Sequence, residues 1–307
     1  MTAPVARILV IGESLIDRVS KGGSEVEHVG GSPANVALGL GRLGHPVTLL
    51  TQFGSDRRGR LIREHLRGDV ELVQGGHPDT PTSTALVTMD DKGIPSYVFE
   101  LAWDVAFPDI ADPRIVHTGS LGAYLEPGRD EVTRLLRHYA SRATVTFDPN
   151  LRPLIMDRAT ARSRVEDLVE FADVIKVSDE DLAWLHPGVA PEAIAAQWLA
   201  EGVELVALTR GADGAEIWNS RSHARVSANS VDVVDTVGAG DAFMSGLIDA
   251  LCTLNAVGPD RTCELKALDK RQLHAILSHA STSAGIAVGH AGAHPPTRAE
   301  LGWCGQE

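Results

Sequence analysis

Short apolar runs alternate with helical patterns along this chain, and that alternation restricts its fold more than any other feature. Arg7–Ile11, Val47–Thr51, Thr144–Phe147, Val174–Val177 and Leu205–Thr209 are brief, apolar and rich in β-branched residues. They read as strands buried on both faces. Gly128–Ser141, Ala159–Phe171, Pro191–Glu201 and Asp241–Leu254 carry helical spacing instead. Such a series predicts an α/β fold in three layers, a mostly parallel sheet with helices on both faces. No Ser/Gly/Pro-rich linker interrupts the 307 residues, so 1–307 are expected to form a single domain.

Two stretches depart from this pattern. Residues 17–30 and 84–107 alternate polar and apolar positions, and the second carries Asp91-Lys92-Gly93 at its hairpin tip. Strands of this kind expect one solvated face, so they cannot lie in the middle of a parallel sheet. They are expected to form a small antiparallel sheet beside the main one. It would serve as a flap over a site, as a contact between two copies, or as both.

Charge and cysteine usage narrow the function. Lys+Arg is 28 against Asp+Glu at 41, a net charge of −13, which weighs against a nucleic-acid or membrane-surface partner. Cys252, Cys263 and Cys304 form no C-x-x-C, so neither a disulfide framework nor a cysteine zinc site is indicated. The N-terminus lacks a secretory pattern and no apolar run reaches the length of about 18 residues that a span needs. A soluble cytoplasmic protein is the expectation.

The sharpest motif is Asp235-Thr236-Val237-Gly238-Ala239-Gly240-Asp241, followed by an apolar-rich helical stretch. Gly238, Ala239 and Gly240 are small enough for a ligand to approach the backbone. The free amides at the start of the helix make an anion site suited to phosphate. A carboxylate beside phosphate repels it, so Asp241 makes sense as the base that accepts the proton of an attacking hydroxyl. The plainer reading makes Asp241 an N-cap after a glycine turn.

A second motif, Gly30-Gly31-Ser32-Pro33-Ala34-Asn35-Val36-Ala37, runs on to Gly44. Ser32 suits an N-cap, Pro33 the first helical position and Gly44 the position after the last turn. Val36, Leu40 and Leu43 supply the buried stripe. Gly30-Gly31 either forms a turn with positive φ or presents bare backbone to a ligand. In the second reading the Asn35 amide offers a sugar hydroxyl both a donor and an acceptor. Gly39-Leu40-Gly41-Arg42-Leu43-Gly44 spells G-x-G-x-x-G, but it lies inside and at the end of this helix. The dinucleotide motif must end a strand and open a helix, so these glycines are read as packing positions.

Other candidates rest on residue chemistry. Arg152, after Asp148-Pro149-Asn150, carries a guanidinium fork suited to phosphate or sugar. Lys176 either reaches a phosphate or pairs with Asp179 or Glu180 as a surface contact. His290 and His294 have helical metal spacing, but Gly289 and Gly292 argue against a helix there, and no neighbouring ligand completes a zinc site.

Together, GGSPANVALGLGRLG and DTVGAGDAF resemble the two signatures of the ribokinase-like (PfkB) family of sugar kinases, and the resemblance covers the whole chain. Gly12-Glu13-Ser14-Leu15-Ile16-Asp17, Phe147-Asp148-Pro149-Asn150-Leu151-Arg152 and Val177-Ser178-Asp179-Glu180 are most similar to fructokinases. The resemblance implies a ribokinase-like α/β fold with a β lid formed by 17–30 and 84–107, which is also a dimer contact in several members. It implies ATP as phosphoryl donor, with Asp241 as base and the amides of Gly238, Ala239, Gly240 and Asp241 as anion hole. Asp17, Gly31 and Asn35 would hold the sugar, with D-fructose as the substrate. Thr209, Gly211 and Gly214 would contact ATP, and Ser281 would border the adenine.

Two departures concern ions. The family's magnesium-linked Asn-x-x-Glu appears as Ser178-Asp179-Glu180-Asp181, leaving Asp181 as a candidate Mg2+ ligand. Asp235 matches a potassium-site position, yet Pro296 stands where a hydroxyl residue is common. Ribose, 2-keto-3-deoxygluconate, a nucleoside and a phosphorylated sugar are the alternative substrates. A catalytically silent sugar or nucleotide sensor is the rival class, and the intact Asp241 counts against it. A nicotinamide oxidoreductase fails on the misplaced glycines.

Overall fold

The computed structural model describes residues 7–21, 24–89, 95–106, 110 and 112–302. The expected tip Asp91-Lys92-Gly93, Phe107 and Cys304 lie outside them. The strands are β1 (Ile8–Ile11), β2 (Leu15–Lys21), β3 (Ser24–Gly30), β4 (Val47–Thr51), β5 (Glu71–Gln74), β6 (Thr84–Met89), β7 (Pro95–Glu100), β8 (Ile115–Gly119), β9 (Thr144–Asp148), β10 (Val174–Ser178), β11 (Leu205–Thr209), β12 (Ala215–Trp218) and β13 (His223–Val226). The helices are α1 (Ser32–Arg42), α2 (Arg57–His65), α3 (Gly128–Tyr139), α4 (Arg158–Val169), α5 (Asp179–Leu185), α6 (Pro191–Glu201), α7 (Ala239–Thr253), α8 (Arg261–Ala267), α9 (Lys270–Val288) and α10 (Arg298–Leu301).

Nine strands form the main sheet in the order β13-β12-β11-β10-β9-β8-β1-β4-β5. From β11 to β5 they run parallel, while β12 and β13 are antiparallel. In β1 every side chain is buried, and successive residues serve opposite cores. Ile8 and Val10 join the layer with α1, α7 and α9. Leu9 and Ile11 join the layer with α3, α4 and α6. This is why the strand reads as a continuous apolar run rather than an alternation. The chain leaves β1 toward β4 on one side and later returns to β8 on the other. A crevice therefore opens outside the carboxyl ends of β1 and β8, the place where doubly wound sheets bind ligands.

The second sheet has the order β3-β2-β6-β7. Its two hairpins are antiparallel, as expected, but β2 and β6, which join them, are parallel. Of the G-x-G-x-x-G glycines, Gly39 and Gly41 lie within α1 and serve packing, whereas Gly44 follows the helix with φ 85° and nothing within 4 Å of an added Cβ, a turn position rather than a packing one. A Cβ on Gly39 would come within 2.5 Å of Ser245 Oγ, and one on Gly41 within 2.2 Å of the Asp69 carbonyl oxygen. No helix among the described residues is long and apolar enough to cross a membrane.

Inside α7, Asp249 is fully buried and accepts hydrogen bonds from His45 and His279 at 2.7 Å each and from Arg298 at 2.8 Å. Burial alone would raise its pKa, yet these donors hold it well below the ordinary carboxylate range. Asp249→Ala leaves three donors facing a gap. It is expected to lower stability by about 3–5 kcal/mol, read as a fall in urea midpoint.

Candidate active site

The crevice beyond β1 and β8 is closed on one side by the start of α7. That helix follows Gly238, which has φ 77° and left-handed geometry. A Cβ on Gly238 would lie 2.7 Å from the Ala293 Cβ, so both conformation and space require glycine. A Cβ on Gly240 would lie 2.9 Å from Lys176 Nζ. The lysine ammonium therefore abuts the bare backbone at the head of α7.

Asp241 is the third residue of α7 and not its N-cap. Its carboxylate is 8% exposed and reaches across to α1. Oδ1 accepts a hydrogen bond from Ser32 Oγ at 2.6 Å, and Oδ2 accepts one from Asn35 Nδ2 at 2.8 Å. The expected N-cap of α1 is corrected accordingly: Gly31, with φ 104°, holds that position, Ser32 and Pro33 follow inside the helix, and the Ser32 hydroxyl turns to Asp241. A Cβ on Gly31 would sit 2.5 Å from the Glu13 carbonyl oxygen, so the positive-φ turn and the close approach occur together.

Asp17 lies half-buried on β2, directly opposite His28 of β3. A Cβ on Gly30 would come within 2.1 Å of Asp17 Oδ2, which explains the first glycine of the pair. Burial raises the Asp17 pKa, and nearby Asp241 adds to this, while Arg152 and His28 oppose it. Arg152 is exposed and donates to Asn150 Oδ1 at 2.6 Å and the Leu151 carbonyl at 3.0 Å.

Of its two readings, Lys176 does not adopt the surface pair with Asp179 or Glu180. Its side chain points inward from β10 and donates to Asp148 Oδ2 at 2.9 Å, with 5% and 1% of the two residues exposed. Burial works against the ammonium, yet Asp148, with Asp181 and Asp241 beyond it, holds the Lys176 pKa above the ordinary lysine value. Burial pushes the Asp148 carboxyl up to about 6 against the pull of Lys176. Asp148 Oδ1 is buried with no hydrogen-bond partner among the described residues.

Asp181 accepts from the Leu151 amide at 3.1 Å and from Ser178 Oγ at 2.8 Å, so both its oxygens are engaged. Asp235 accepts from the amides of Val237 at 3.1 Å and Gly292 at 2.8 Å, which lower its pKa. His290 and His294 follow the end of α9, and their rings stack 4.3 Å apart. No cluster of three or more metal-ligating His, Cys, Asp or Glu occurs among the described residues.

A cavity of about 580 Å³ opens between β11, β12, α7 and α9. Thr209, Gly211, Gly214 and Ser281 all line it. Ala212, Val231, Val233 and Phe243 make much of the wall apolar, and Ala239 and Gly240 at the head of α7 also line it. Sequence reasoning missed Glu13, Ser32 and Asp148 as members of this site. A charged residue two positions after the apolar run Ile8–Ile11 was the available signal for Glu13.

Residues 5–300 match the pfkB family of carbohydrate kinases. The chain belongs to that family. It is 32% identical over 259 residues to a fructokinase of Rhizobium leguminosarum bv. trifolii, covering 80% of this chain and 79% of that protein. It is 31% identical over 261 residues to an ATP-dependent 6-phosphofructokinase of Thermoanaerobacterium thermosaccharolyticum, covering 80% and 81%. The structure of a Vibrio cholerae O395 fructokinase with fructose, ADP and a calcium ion superposes with a TM-score of 0.76 at 26% identity, covering 94% of each chain.

In this carbohydrate kinase Glu13 lies just beyond the carboxyl end of β1 and is 5% exposed. Its Oε2 accepts from the Gly122 amide at 2.7 Å. Burial raises the carboxyl to about 7, against the amide of Gly122, the hydroxyl of Ser120 and the charge of Arg152. The folded chain thus holds a proton that the unfolded chain releases near 4.5. Stability from this group is complete below 4.5 and lost as pH rises through about 7. Glu13→Gln should reduce the drop in Tm between pH 5 and pH 8. An equal drop in both proteins would show that Glu13 does not titrate there.

Proposed function

We propose that the chain transfers the γ-phosphoryl group of ATP to a primary hydroxyl of D-fructose, in the cytoplasm. The observation that carries this reading is the Asp241 carboxylate at the first turn of α7, next to the glycine backbone that bounds the large cavity. Asp17, Gly31, Asn35 Oδ1 and Arg152 hold the sugar. Asp241 accepts the hydroxyl proton as the new O–P bond forms and the bond to ADP breaks. The amides of Gly238 to Asp241 and the Lys176 ammonium stabilise the charge on the transferring group. Thr209, Gly211, Gly214 and Ser281 hold the nucleotide.

Magnesium takes most of its ligands from phosphate and water and neutralises phosphate charge when bound. It therefore needs few protein oxygens. The free, buried Asp148 Oδ1 fits that demand better than Asp181, whose oxygens are engaged. A phosphorylated sugar would require several cations beside Asp17, more than Arg152 alone supplies. A second copy is the partner we propose for the lid face that exposes Val19 and Val26 alongside Asp17.

ADP release measured over fructose, ribose, 2-keto-3-deoxygluconate, a nucleoside and fructose 6-phosphate tests the substrate. Fructose should show the highest kcat/KM, and turnover of another acceptor without fructose would overturn the assignment. Asp241→Asn should lower kcat by roughly 10²–10⁴-fold while binding of ATP and sugar persists in calorimetry. Gly240→Val should abolish ATP-dependent chemistry while fructose binding survives, because its Cβ meets the Lys176 ammonium and its branches fill the cradle.

A further inference from the structure

The Asp241 carboxylate is gripped at both oxygens, and the two donors belong to one helix. Ser32 is the first residue of α1 and Asn35 lies three residues on, a spacing that puts both side chains on one side of the helix. All three residues are less than a tenth exposed. No side chain among the described residues caps α1, because the serine hydroxyl that could do so is turned outward to Asp241.

We propose that Ser32 is a positioning residue for phosphoryl transfer. With Asn35 it clamps the plane of the Asp241 carboxylate, so that an unshared lone pair faces the acceptor hydroxyl. This rests on the reading of Asp241 as proton acceptor. The torsion that sets a carboxylate plane is broad and roughly two-fold, so one hydrogen bond leaves the group free to pivot. A second bond on the other oxygen removes that freedom. A carboxylate offers about four lone-pair sites, and the clamp uses one on each oxygen, leaving room for the substrate proton. The Ser32 contact is charge-assisted and short, the stronger kind of hydrogen bond.

A double-mutant cycle on the full chain tests this, using Ser32→Ala, Ser32→Thr, Asp241→Asn and the Ser32→Ala, Asp241→Asn pair. Ser32→Ala should lower kcat roughly 10- to 100-fold, the equivalent of one charge-assisted hydrogen bond, with KM for ATP and fructose within about twofold. Ser32→Thr, which keeps the hydroxyl, should recover most of the loss. In the Asp241→Asn background, Ser32→Ala should change the residual rate less than about twofold, because the clamp then has no carboxylate to orient. A fall in Tm with kcat unchanged, or the full loss repeated in the Asp241→Asn background, would overturn the proposal. Wild-type kcat in Asp241→Asn alone would instead overturn the proton-acceptor reading.

Discussion

The site is placed by a carboxylate that takes no part in the proposed chemistry. Asp249 lies eight residues beyond Asp241 on the same helix, roughly 12 Å along the axis at 1.5 Å per residue. Its partners come from the turn before β4, from α9 and from α10, so one buried anion fixes α7 against three distant segments. Arg298 also donates to the Leu43 carbonyl at 2.7 Å, binding the end of α1 into the same knot. Small residues then bring the helices together. A Cβ on Gly246 would stand 2.9 Å from Ser283 Cβ and 3.0 Å from Ala280 Cα. With both faces of α7 so constrained, the start of the helix has little freedom to slide, and Asp241 meets α1 at hydrogen-bond range.

Much of this was legible before any coordinates. The five apolar runs became β1, β4, β9, β10 and β11 with ends shifted by at most a residue. Their burial is two-sided and leaves a plain signal. Strand β8 was missed because Ile115–Gly119 carries His117, Thr118 and Gly119, whose polar groups are satisfied locally: His117 Nδ1 meets Thr146 Oγ1 at 2.9 Å. Helix α2 escaped because Arg57–His65 buries little beyond Gly59 and Ile62. Helix α9 was hidden by its small polar residues, although Asp269 and Gln272 form a capping box that announces its start.

The motifs located the active-site segments, but not who touches whom. Ser32 looked like a local cap because Ser favours that position, and only tertiary structure offers it a better partner 209 residues away. Lys176 was open between a phosphate contact and a surface pair with its acidic neighbours, and strand alternation turns it instead toward Asp148. Neither contact has a signature in spacing, since one joins the first turns of α1 and α7 and the other joins the neighbouring strands β10 and β9. Gly30 and Gly31 were open between turn and ligand readings. Their demands are now distinct: the Asp17 carboxylate crowds one and positive φ governs the other.

An acid-rich pocket is an odd receptacle for a polyanionic nucleotide, and the arrangement of charges resolves the difficulty. Asp17 and Glu13 lie on the side of the second sheet and β1, where burial raises both. Lys176 abuts the head of α7, whose Ala239 and Gly240 line the large cavity, so an ammonium and the positive end of a helix lie on that side. Asp241 stands between the two regions, anchored by neutral donors from α1 rather than by a cation. A guanidinium or ammonium in that role would hold the carboxylate too strongly to accept a proton. Hydroxyl and amide donors orient it without placing a positive charge on it. In the proposed reaction a neutral polyol suits the sugar side, where burial favours the uncharged forms of Asp17 and Glu13.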